Sequence, residues 1–222
     1  MSGLYPVVEV AVVAASLAVL LFALAVLAPR RGLWPSMAWT AVGLGWFLVL
    51  WELARAGAFD GTRGSGRAAG IMACLGTLAV AWALLSAARR PGPTVGDLIA
   101  IQANRVVAVV VLLALAGEAL PAWLAVPIGV GESLVGVLAL GVARLVPSNP
   151  GGGRAVAAWN AAGVALAVFT IAAPIASARS AGYFFSLYPL VLFPTFLAPC
   201  ALALHALTLK ALRPPSPPGS TS

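Results

Sequence analysis

Apolar residues gather along this chain into seven long runs, separated by short polar or turn-forming stretches. Each run is close to the roughly 20 residues that a helix needs to cross hydrocarbon. The first covers Pro6 to Ala28 and is followed by Pro29-Arg30-Arg31. The second runs from about Trp34 to Ala54, with Trp34, Trp39, Trp46 and Trp51 spread along it. Those near its ends suit the membrane–water interface. Glu52 and Arg55 stand three apart near its exit and can pair on one helix face. The Gly-rich connection Arg55 to Arg67 reads as the most obvious flexible loop. A third run, Ala68 to Ala87, is ended sharply by Arg89-Arg90-Pro91-Gly92-Pro93.

Thr94 followed by Asp97 predicts a capping box that starts a fourth helix, reaching about Gly117. A tight turn, Glu118 to Ala122, leads to a fifth span from about Trp123 to Ala143. Pro147 to Gly153 is a loop, and the sixth span covers Arg154 to Ala176. Tyr183, Phe184, Phe185 and Tyr188 form an aromatic cluster that reads as an interfacial belt. The seventh span, Leu187 to Thr208, holds Pro189, Pro194 and Pro199 and is expected to be bent or locally unwound. Residues 1–213 therefore read as a single transmembrane domain, and 214–222 as a disordered Pro/Ser-rich tail. The predicted fold class is all-α, a polytopic helical membrane bundle of about seven transmembrane helices.

Two ionisable residues break the pattern. Arg105 lies inside the fourth run and Glu132 inside the fifth, far from the ends of both. An ion left alone in hydrocarbon costs roughly 3 kcal/mol on insertion scales, so each needs a partner or a wet cavity. Counted from the turn near Leu120, Arg105 lies about 15 residues down one helix and Glu132 about 12 down the other. At about 1.5 Å per residue that offset is roughly 4–5 Å, within reach of an Arg side chain. Gln102 shares a helix face with Arg105, and Asn104 points elsewhere. Gly129, Glu132 and Gly136 form a stripe on which a neighbouring helix can approach closely.

Composition narrows the class. Of 222 residues, 62% are hydrophobic and 9% charged, and the mean hydropathy is +1.03. A soluble domain carries about 25% charged residues, so the solvent here is largely lipid. The net charge of +7 is spread thinly between the runs, without clusters or aromatic platforms, which excludes a nucleic-acid partner. One side of the layout carries Arg30, Arg31, Arg89, Arg90, Arg144, Arg154, Lys210 and Arg213; the other carries Arg55, Arg63, Arg67 and Arg179. The positive-inside rule places the N-terminus outside and the C-terminus in the cytoplasm. Residues 1–5 hold no charge and Pro29-Arg30-Arg31 follows the first run, which favours a retained span over a cleaved signal. Glu9, near the outer end, reads as a snorkelling carboxylate.

In that orientation Gln102, Arg105, Asn160 and His205 fall in the cytoplasmic half, with Glu132 near the midplane. Two readings are open for the pair. It is either a structural ion pair that fixes helix register, or a charged site lining a ligand pocket or proton path. His205 is either a helix-end histidine bonded to a carbonyl or to interfacial water, or a proton relay. Gln102 and Asn160 serve as interhelical glue or as ligands. Cys74 and Cys200 read as packing residues. With one His and two separated Cys, neither a four-ligand zinc site nor a bis-His haem can be assembled, and no cofactor is expected. Seven spans with an outside N-terminus match the rhodopsin layout, but a retinal Schiff base needs a mid-helix lysine, and the only lysine is Lys210 at a helix end. No GxSxG, HExxH or Walker sequence occurs, and no nucleophile–base set points to an enzyme.

Leu120-Pro121, the run Pro127-Ile-Gly-Val-Gly-Glu132, and Pro194-Thr-Phe-Leu-Ala-Pro199 followed by His205 resemble an uncharacterised group of small bacterial multi-pass proteins. The resemblance covers about the last half of the chain. That group usually has Asp where this chain has Glu132, which keeps the acid and lengthens its reach. The resemblance implies a bacterial inner-membrane location and brings no activity with it. The expected function is binding or transport of a small polar or anionic solute, or of a proton, through a site built from Arg105, Glu132, Gln102, Asn160 and His205 and open to the cytoplasm. The alternative is a sensory or assembly subunit that meets another membrane protein, or a second copy, through helix–helix contacts.

Overall fold

The computed structural model describes residues 5–31, 33–86, 94–145, 152–177 and 183–212. Among these residues there is no strand. Seven helical segments are long and apolar enough to cross a bilayer, which makes this an all-helical, multi-pass membrane protein. Most of the expected Pro147–Gly153 loop, the Arg89–Pro93 stop, Arg179 and residues 213–222 lie outside the described residues.

The first three spans are single helices: α1 (Tyr5–Arg31), α2 (Leu33–Arg55) and α3 (Gly64–Ser86). The next begins as α4 (Val95–Ile101), where the Thr94 hydroxyl accepts the Asp97 N–H at 3.1 Å and Asp97 accepts the Thr94 N–H at 2.9 Å. It tightens to a 3-10 stretch over Gln102–Val110 and resumes as α5 (Val111–Ala116). The fifth span comprises α6 (Ala122–Val126), a π-helical stretch Pro127–Glu132 and α7 (Ser133–Leu145). Then come α8 (Gly152–Ala176), a 3-10 turn Tyr183–Ser186, a π-helical stretch Phe193–Leu197 and α9 (Ala198–Leu212).

These helices are apolar on every side, so burial inside the bundle and contact with lipid divide the same residue types between them. On α7, Leu134, Val137, Leu138 and Leu140 face outward at 48–57% exposure, a surface suited to acyl chains and not to water. The last span lies at the centre. Two thirds of its apolar window (67%) is buried, against 22% for Trp34–Arg55, and α9 packs on α3, α4 and α8. Phe47 of α2 meets Phe196 with ring centroids 5.1 Å apart.

Two expectations from sequence need correction. The seventh helical span starts at Phe193, not Leu187. Pro189 and Pro194 offer no N–H, and residues 187–192 close instead as successive turns, with Val191 N–H on Leu187 and Leu192 N–H on Pro189. The Arg55–Arg67 connection is shorter and better anchored than its glycines imply, because α3 already begins at Gly64. Phe59 is buried, Asp60 accepts both the N–H and the hydroxyl of Thr62, and Gly61 N–H donates to Ser186 Oγ at 3.0 Å. Those Thr62 hydrogen bonds hold the Asp60 carboxyl below its usual range.

A buried charged centre between four spans

Arg105 reaches Glu132. Its Nε donates to Glu132 Oε2 at 2.5 Å, and its Nη2 ion-pairs with the same oxygen. Both side chains are nearly sealed, at 6% and 5% exposure. A 3-10 helix repeats every three residues, so Gln102 eclipses Arg105 and its Oε1 accepts from Arg105 Nη1 at 3.1 Å. The π-helical stretch Pro127–Glu132 ends at the acid itself. One turn further on, Gly136 lets α7 press against the 3-10 stretch. A Cβ at Gly136 would stand 2.7 Å from the Val106 nitrogen, so no side chain fits there.

The last two spans complete the centre. His205 Nε2 lies 2.6 Å from Arg105 Nη1. A guanidinium has only hydrogens to offer, so Nε2 is the acceptor and the ring proton sits on Nδ1. Nδ1 lies 2.9 Å from Asn160 Oδ1 and donates to it. Gln102 Nε2, 3.3 Å from the same Nδ1, then faces another donor and makes no useful bond. Arg105 Nη2 also donates to the Gly163 carbonyl at 3.3 Å, and Thr170 Oγ1 donates to Glu132 Oε1 at 2.7 Å. All five guanidinium hydrogens therefore have an acceptor. Asn160 Nδ2 is buried without a hydrogen-bond partner among the described residues.

The structure thus brings Arg105, Glu132, Gln102, Asn160 and His205 into one network. Sequence reasoning missed two members, Gly163 and Thr170. Their signal was spacing: Asn160, Gly163, Ala167 and Thr170 recur at intervals of three, four and three, one inward stripe of α8. Asn104, expected off the face that Gln102 and Arg105 share, borders the centre. It lines, with Arg105, Glu132 and Thr170, a cavity of about 20 Å³. That is room for about one water molecule. A much larger cavity, about 670 Å³, lies where α1 begins and α2 ends and is lined by none of the five.

Helical spans folded around a closed, charged hydrogen-bond network define the class: a polytopic membrane protein with an intramembrane ionic centre. A family model described as a domain of unknown function (DUF8737) matches residues 66–213, and the chain belongs to that family. The matched segment contains every residue of the centre. No curated protein matches the chain, and no solved structure does.

Proposed function

We propose that the protein binds or moves protons, or a small polar solute coupled to them, across a bacterial inner membrane, with the Arg105–Glu132 centre as the exchange point. The observation that carries this reading is a buried ion pair bordered by a water-sized void and set where three helices leave α-geometry. Mid-helix 3-10 stretches and π-turns mark hinges and functional sites, because their backbone bonds can re-register at small cost. Intramembrane ionisable residues are likewise expensive, and function is the usual reason they are kept.

Saturation of the guanidinium favours a proton over an anion. An anion at Arg105 would have to displace a bond already made, and the void beside it admits little more than water. A proton needs no volume. Delivered by a water in the void to Glu132, it would cancel the carboxylate's charge and release Arg105 to Gln102, His205 and the Gly163 carbonyl. The 3-10 stretch and α7 would then lose their strongest link and could separate. The excess of basic residues on the C-terminal side supports an outside N-terminus, which puts the centre toward the cytoplasmic half.

The test is proton flux into liposomes holding the purified protein and an internal pH dye, driven by a potassium diffusion potential. Wild type should acidify the lumen faster than empty vesicles, and Glu132→Gln should not. Equal rates for wild type, variant and empty vesicles would refute the proposal.

A further inference from the structure

A large cavity lies where α1 begins and α2 ends, beside α5 and the segment before the last span. Its volume of about 670 Å³ is within the range of ligand pockets, roughly 300–1,000 Å³. Most of the lining is apolar, including Val8, Leu113, Phe184 and Leu190. A second opening of about 530 Å³ shares Ala119 and Phe184 with it and adds Glu118. The two form one crevice along this end of the bundle.

Inside the crevice a directed hydrogen-bond chain ends on a carboxylate. Trp51 Nε1 donates to the Tyr188 hydroxyl at 2.7 Å, and that hydroxyl donates to Glu9 Oε1 at 2.7 Å. An indole can only donate, so the phenol must accept from it and direct its own hydrogen to Glu9. Burial and the bond to Glu9 push the Tyr188 phenol up to about 12, so it remains a donor at any physiological pH. Glu9 itself is half-buried and has no cation within ion-pair distance among the described residues. Arg55, the basic residue on the lining, is already engaged: Glu52 lies 3.8 Å away and the Trp51 ring 5.3 Å from its guanidinium. The charge left for a ligand is therefore negative, from Glu9 with Glu118 at the rim.

We infer that this crevice binds an amphiphile carrying an ammonium group, with the ammonium on Glu9 and the apolar body along Val8, Leu113, Leu190 and Phe184. The Glu9 carboxylate, which Tyr188 holds by one oxygen, accepts the ammonium. An ammonium of this kind can come from the headgroup of an aminophospholipid in the bilayer or from a free hydrophobic amine. The site does not depend on the Arg105 centre, whose residues it does not share.

The experiment is equilibrium dialysis of radiolabelled 4-phenylbutylamine against the full chain in dodecyl maltoside, a detergent without charge. Saturable binding near one per chain is expected, with 4-phenylbutyrate failing to compete. Glu9→Gln should weaken binding about tenfold or more, the scale of one charge-assisted hydrogen bond. Ala114→Trp, which fills the cavity and leaves Glu9 in place, should abolish it and serves if Glu9→Gln does not fold. Added phosphatidylethanolamine that displaces the amine identifies a lipid headgroup as the occupant, and failure to displace it identifies a free amine. Absence of saturable binding, equal competition by 4-phenylbutyrate, or unchanged binding in the folded variants would overturn the inference.

Discussion

Gly163 of α8 and His205 of α9 approach so closely that a Cβ built on the glycine would lie 2.2 Å from the imidazole Nε2. The ring has little freedom to yield. Arg105 holds one nitrogen, Asn160 the other, and the Trp159 ring packs against it, tilted, with centroids 5.0 Å apart. Gly163→Ala should therefore displace the imidazole from Arg105 and destabilise the protein by about 1–3 kcal/mol, the usual cost of overpacking. A thermal melt in detergent reads the loss. Unchanged stability would contradict the close approach of α8 and α9 at Gly163.

Arg105 and Glu132 should respond asymmetrically to single and paired replacement. Arg105→Ala leaves a buried carboxylate unpaired, a change that costs about 3–5 kcal/mol, and poor accumulation of the variant is expected. Replacing both, Arg105→Met with Glu132→Met, removes both charges together and should be less destabilising than Arg105→Ala, the remaining cost being the partners lost by Gln102, His205 and Gly163. Comparing melting temperatures of the single and double variants checks this. A double variant as unstable as the single one would contradict the pairing.

Thr170→Val keeps the shape of the side chain and deletes the hydroxyl that donates to Glu132 Oε1. The carboxylate oxygen then loses a buried partner, at a cost of about 1–3 kcal/mol. Thr170→Ser should restore most of it. Recovery of stability in the serine variant is the informative readout.

Tyr188 gives a pH signature. Its pKa is raised from about 10 in the unfolded chain to about 12 in the fold. The folded state thus favours the protonated phenol, and that stabilisation is complete below pH 10 and lost as the pH rises through about 12. Wild type should lose stability across this window beyond what Tyr188→Phe loses. Parallel pH–stability curves for the two proteins would show that Tyr188 contributes nothing there.

Glu118 occupies the left-handed backbone region at φ 57°, in the turn between α5 and α6. Glycine adopts that conformation without the Cβ penalty. Glu118→Gly should leave stability unchanged or raise it by about 1 kcal/mol, measured by thermal unfolding. A clear loss would mean that the Glu118 side chain holds the turn.

The spans were readable because lipid imposes one demand on every residue of a crossing helix, and the capping box at Thr94 was readable because its two bonds are local. The meeting of Arg105 and Glu132 follows from a similar necessity, since neither ion has another inexpensive partner at that depth. What escaped the sequence depends on geometry that leaves little compositional trace. The π-turn at Pro127–Glu132 differs from an α-turn by one residue, and neither its proline nor its glycines specify that. The chain from Trp51 through Tyr188 to Glu9 joins residues from both ends of the protein, so no local pattern announces it. The Arg55–Arg67 segment looked mobile from its glycines, because the anchors Phe59 and Ser186 act through tertiary contacts alone.

The most direct measurement is proton flux in liposomes holding the Arg105→Met, Glu132→Met double variant, a protein expected to fold without the charged centre. Wild type should acidify the vesicle lumen under a potassium diffusion potential, and the folded double variant should match empty vesicles. A double variant that conducts as wild type does would contradict the proposed role of the ionic centre and leave it a structural pair.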